Sequence, residues 1–186
     1  MALTDKLTAI AAAIRGISCK TALMTVDQMT TEIDAIHETW DDMIHGSIAG
    51  HYKNATVERI GSHSMYAKAY LTSCEFSSVT EIWGGGCYGC SRMESARFPV
   101  LRTINNTSFS GCAALEALIL DQITAVPNLV NVSAFNNTPI ADGTGYVYVP
   151  DNLVDAVKAA TNWTTFADQI KGISELPAAL KTLYGI

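Results

Sequence analysis

This chain carries little charge, and less of it is positive: 12 Lys and Arg stand against 18 Asp and Glu, a net charge of −6. A nucleic-acid binder needs a basic face to displace the counterions around phosphates, so that class is excluded. Long apolar runs are missing too. No stretch approaches the ~18 consecutive apolar residues of a membrane span, and no membrane insertion is expected. Low charge is balanced by a 48% hydrophobic content over 186 residues. That is enough apolar side chain to bury one sizeable core, and it argues against disorder.

The signatures of catalysis are also missing. There is no HExxH, no GxSxG and no phosphate-binding loop. Gly84-Gly85-Gly86 is followed by Cys87, not by a Lys-Ser or Lys-Thr helix start. The four histidines, His37, His45, His51 and His63, share no ligand spacing, and the first three fall in a polar connection where exposure is expected. The scattered acidic residues form no acid/base pair. The sequence therefore predicts no enzyme, no catalytic residue, no metal and no cofactor.

What the chain does have is a repeat of 22 residues between positions 57 and 149. Val57, Val79, Leu101 and Ile123 share one phase, and Ile60, Ile82, Ile104 and Val126 stand three residues later. Further columns are Met65, Cys87 and Phe109; Leu71, Met93 and Leu115; Cys74, Ala96 and Leu118; and Phe76, Phe98 and Leu120. A fixed period of this length is the signature of a solenoid whose units bury their apolar faces on one another. Met93 to Phe98 and Leu115 to Leu120 follow the L-x-x-L-x-L pattern of a turn running into a strand. The period breaks in the fourth unit, where the next apolar landmarks are Phe135 and Ile140 after a segment rich in Asn, Thr and Gly. Changes at Leu115, Leu118 or Ile104 are expected to be costly, and changes at Asn105 or Asn106 cheap.

Four of the five cysteines (Cys74, Cys87, Cys90 and Cys112) fall on these inward columns, beside Met, Phe and Leu. They are expected to be reduced, buried, metal-free hydrophobes. Trp83 differs, because its row holds Gly61 and Asn105 and is not a core row. Together with Tyr88, Tyr66 and Tyr70 it forms a candidate surface for a sugar ring or a partner protein. The competing reading folds Trp83 onto its own turn.

Either side of the repeat the spacing turns helical. Leu3, Leu7, Ile10 and Ile14 make one helix face, and Met29, Ile33 and Ile36 another after the capping box at Thr25 to Gln28. Asp5 and Lys6 sit inside that periodicity, so the N-terminus is not read as a signal peptide, and a cytoplasmic origin is expected. Short amphipathic helices bury little by themselves. Leu3, Leu7, Ile10, Ile14, Met29 and Ile33 are therefore assigned to self-association or attachment. Residues 37–56 are read as a partial first unit, capping the edge of the repeat. After Val149 the spacing predicts helix over Asn152–Ala160, further helical turns through Trp163, Phe166 and Ile170, and a last helix striped by Leu176, Leu180 and Leu183.

Ile104-Asn-Asn-Thr-Ser-Phe109-Ser-Gly-Cys112-Ala-Ala-Leu115 resembles the BspA-type leucine-rich repeat of bacterial surface and phage-associated proteins. Met65 and Cys87 depart from its usual Phe, and Lys68 from its usual Cys. The N-terminal hairpin resembles a module of phage tail and fibre proteins of Gram-positive hosts. The run from Tyr146 to Trp163 is similar to the C-terminal cap of the same repeat proteins. The expected fold class is α+β: a short leucine-rich-repeat β-solenoid (39–149) between an N-terminal helical hairpin (1–38) and a C-terminal helical cap (150–186). The function implied is a phage virion component of the tail, fibre or baseplate, made in the host cytoplasm. It would contact other virion proteins and a host-surface glycan or protein, with a homotrimer favoured over a dimer. A BspA-like cell-surface adhesin and a capsid-decorating protein without a receptor are the alternatives.

Overall fold

Each 22-residue unit carries two short extended stretches, and each stretch pairs with its counterpart in the next unit. A computed structural model describes residues 50–186. One parallel sheet has six strands, β1 (Gly50–Asn54), β3 (Leu71–Phe76), β5 (Ser95–Arg97), β7 (Ala117–Ile119), β9 (Tyr146–Val149) and β10 (Ile170–Gly172), in that order. The other has four: β2 (Arg59–Ile60), β4 (Glu81–Ile82), β6 (Thr103–Ile104) and β8 (Asn128–Leu129). Their register follows the period, with Cys74 opposite Ala96 and Ala96 opposite Leu118. Ile104 lies opposite Leu129 rather than Val126, so the departure from the period begins before Pro127.

The expected α+β fold, a leucine-rich-repeat β-solenoid between a helical hairpin and a helical cap, is corrected by this arrangement. The described residues form two all-parallel sheets with few, short helices, which is α/β-like. The helices are α1 (Pro139–Asp142), α2 (Val154–Lys158) and α3 (Ala178–Tyr184). The expected helical cap holds α2 and α3 together with 3-10 turns at Asp151–Leu153, Trp163–Gln169 and Ile173–Glu175. Their three residues per turn satisfy the same i, i+3 apolar spacing that an α-helix would. Ile170–Gly172 then becomes a strand, because Ile170 pairs with Val147 at the end of the larger sheet. The segment read as a partial capping unit also supplies a full strand, β1, in which His51 is half-buried, not exposed. The hairpin, with Leu3, Leu7, Ile10, Ile14, Met29 and Ile33, lies outside the described residues.

Two cores result. The inner faces enclose Cys74, Ala96, Leu118 and Val147 in one row and Phe76, Phe98, Leu120 and Val149 in the next. An aromatic ladder runs through this interior from Phe76 through Phe98, Phe109 and Phe135 to Trp163, with successive ring centroids 5.5, 5.9, 5.8 and 6.0 Å apart. Such contacts add about 0.5–1.5 kcal/mol each beyond the area they bury. The ladder ends on a polar tie: Trp163 Nε1 donates to Pro127 O at 2.8 Å, and Asn162 Nδ2 to Leu129 O at 2.7 Å. These bonds occupy carbonyls along and beside the edge strand β8, groups that would otherwise invite a foreign strand.

The second core lies on the other face of the larger sheet. Ala117, Ile119 and Tyr148 are covered there by Leu176 and Tyr184 of the C-terminal segment. On the same face the Arg97 guanidinium grips Asp121 with two bonds, Nε–Oδ1 at 2.9 Å and Nη2–Oδ2 at 2.7 Å, and also bonds to Glu75. Lys53 reaches Glu75 at 3.0 Å. Burial alone would push the Glu75 carboxyl up, but Lys53 and Arg97 hold it below the usual range. No helix among the described residues is long and apolar enough to cross a membrane.

Candidate surface-binding site

The outward turns that follow the smaller sheet carry the aromatic residues singled out in the sequence. Trp83, Tyr66, Tyr70 and Tyr88 are exposed by 43, 49, 60 and 38%. For Trp83 the cause is its row. Its backbone N–H donates to Ile60 O at 2.9 Å and its neighbour's ladder continues through Asn105 N–H to Ile82 O at 3.0 Å, which places Trp83 beside Gly61 and Asn105. Neither neighbour offers a wall for the ring to pack against. It does not simply fold back on its turn: the Arg59 guanidinium lies over it, 5.5 Å from the ring centroid.

Polar side chains surround this ring in an order that register dictates. Arg59 and Glu81 occupy the same row of β2 and β4 and form an ion pair, Nε to Oε2 at 3.4 Å. Asn105 Nδ2 donates to Ile82 O at 2.9 Å and lies 3.4 Å from Glu81 Oε1. Ser62 Oγ donates to Gly84 O at 2.9 Å. Together Arg59, Ser62, Glu81, Trp83, Gly84 and Asn105 line an open cleft of about 460 Å³.

The glycines beside Trp83 are fixed by close approach. A Cβ at Gly84 would sit 2.8 Å from Asn106 Oδ1, and one at Gly85 would sit 3.0 Å from His63 Nε2. Gly85 also has φ +70°. Beyond them, Tyr66 and Tyr88 occupy the same turn of successive units, since each donates its backbone N–H to the residue three before it, His63 and Gly85. That repetition stacks their rings at 5.4 Å and 4°. His63 packs beside the pair, its ring tilted by 43° with its centroid 5.5 Å from that of Tyr66. Among the described residues Tyr70 stands apart from these rings, and it is more exposed than the others.

The sequence-derived set of four aromatics is thus divided into a Trp83 cleft, a Tyr66–Tyr88 stack and an isolated Tyr70. Sequence reasoning missed Arg59, Ser62, His63, Glu81 and Asn105. Arg59 and Glu81 are opposite charges one period apart, a signal that was present in the repeat itself. Cys74, Cys87, Cys90 and Cys112 are buried free thiols inside the protein, away from this surface. Burial pushes the Cys74 and Cys87 thiols up, and Cys90 and Cys112 donate to the carbonyls of Met65 and Cys87 at 3.0 and 3.1 Å. Among the described residues, no group of three or more His, Cys, Asp or Glu could hold a metal ion. No protein-family model and no curated protein matches this chain.

Proposed function

We propose that this protein is a phage virion component, associated with the tail, fibre or baseplate, whose repeat domain meets the host surface. The observation that carries this reading is the outward exposure of Trp83, Tyr66 and Tyr88 on turns held by a buried core. Large amphipathic rings held at low entropic cost are what contact surfaces use. The resemblance of the first 35 or so residues and of Tyr146 to Trp163 to phage-associated repeat proteins supplies the virion context. Leu3, Leu7, Ile10, Ile14, Met29 and Ile33 then serve attachment to other virion proteins or assembly into a homotrimer.

Peptide mass spectrometry of purified particles, with gold-labelled antibody in the electron microscope, tests the assignment. The protein is expected in the particles and the gold at the tail end. Gold on the head identifies a capsid-decorating protein instead. Label on uninfected bacteria, with none on particles, identifies a cell-surface adhesin.

A further inference from the structure

We propose that the cleft beside Trp83 binds a saccharide, taking one neutral hexopyranose unit with its flat face against the indole. This deepens the surface-contact reading above and rests on it for its biological setting, but the site stands on its own geometry. The Arg59 guanidinium lies over one face of the indole, 5.5 Å from its centroid, and 43% of the residue is open to solvent, which leaves the other face for a ligand. A π face is electron-rich and attracts the partly positive C–H groups that line one side of a pyranose ring. An exposed aromatic plane alone would serve many ligands, so the surrounding polar groups decide the class.

Those groups suit hydroxyls. A sugar hydroxyl donates once and accepts, and each one taken from water must find a partner of the right kind. Glu81 offers carboxylate acceptors, the Arg59 guanidinium offers donors, and Ser62 Oγ, whose proton goes to Gly84 O, offers an acceptor. Asn105 commits its Nδ2 to Ile82 O, so its Oδ1 remains as an acceptor. Arg59 and Glu81 pair with each other, which cancels the local charge and favours a neutral unit over an acidic one. Both are drawn into place by backbone register, not by the ligand, so little ordering cost remains for binding to meet.

The open cleft, about 460 Å³, has room for a small ligand such as one sugar unit. Of the other exposed large hydrophobics, Tyr66 and Tyr88 carry hydroxyls, and the aliphatic Val130 stands in the same row beyond Asn105.

Isothermal titration calorimetry on the full-length protein tests this, with neutral tetrasaccharides of glucose, galactose, mannose and N-acetylglucosamine as probes. Saturable binding of at least one probe is expected. Trp83→Ala should weaken it by at least about tenfold, as hot-spot aromatics do, Trp83→Phe should weaken it less, and Val132→Ala should leave it unchanged. No saturable heat from any probe up to about 10 mM, weaker than a millimolar contact, overturns the site. Binding that survives Trp83→Ala at full strength overturns it as well. Either failure leaves the particle-localisation result untouched, and a protein missing from particles leaves the calorimetry untouched, so the two readings fall separately.

Discussion

Leu115 sits in the buried column between Met93 and the last strands, with no measurable exposure. Truncation to Ala leaves a cavity in a close-packed interior, and Leu115→Ala should cost about 2–5 kcal/mol, read as a lowered urea midpoint. Leu118→Ala should behave alike. Asn105 differs from its sequence-based expectation, because its amide bonds to Ile82 O. Asn105→Ala should therefore cost about 1 kcal/mol, while Asn106→Ala at an exposed position should cost less. Backbone conformation gives a second test. Ala67, Gly89 and Gly111 recur at one point of the repeat with φ of +52, +73 and +77°. A left-handed residue with a Cβ is strained by about 1–2 kcal/mol. Ala67→Gly should thus raise the thermal midpoint and Gly89→Ala should lower it. The apolar columns were legible residue by residue: all of their members are buried except Val57 and Val126, which are partly so. Val126 slipped because Leu129 takes its place opposite Ile104, and a residue offset of this kind leaves no mark in composition.

Among elements, the C-terminal helix α3 was placed by its spacing, but its role was not. Leu176, Leu180 and Leu183 looked like its buried stripe, yet Leu183 is exposed and Tyr184 is buried instead. Tyr184 and Ser95 share a hydroxyl–hydroxyl bond of 2.8 Å, and the Tyr184 ring meets His51 edge-on with centroids 5.4 Å apart. His51 Nδ1 lies 2.6 Å from Ser73 Oγ, and its buried Nε2 has no partner among the described residues. Burial chiefly, and then Lys53, holds the His51 pKa below its usual 6.5, against an upward pull from Glu75. The unfolded chain therefore takes up this proton before the folded one does. The His51 contribution is fully present above pH 6.5 and is lost as pH falls through the lowered folded value. Thermal midpoints should hold steady above pH 6.5 and drop on acidification below it, and His51→Gln should flatten the drop; an equal drop in the variant would assign it to other groups. None of this was visible in the sequence, where His51 looked like an exposed linker residue. Its burial depends on a helix more than a hundred positions away, and local pattern carries no such information.

For the whole molecule, the repeat revealed which residues line the interior and how far apart the units lie. It did not reveal that residues 50–54 and 170–172 would extend the larger sheet at both edges, nor that the C-terminus would cover that sheet's outer face. Apolar spacing of three and four residues reads as α-helix, while 3-10 turns and a final strand met the same burial needs. At the candidate site, Trp83 stood out because it falls in a row outside the apolar columns. Its polar partners did not, since Arg59, Glu81 and Asn105 are ordinary surface residues until register brings them to one cleft.

The central claim is that the Trp83 surface is where this protein touches a host cell. Adsorption competition tests it most directly: bacteria are incubated with purified full-length protein, washed, and offered the phage. Wild-type protein should reduce adsorption in a saturable way, and Trp83→Ala should need at least about ten times the concentration for the same effect, in line with loss of a hot-spot side chain. Equal blocking by wild type and Trp83→Ala, or no blocking by either, would contradict the account.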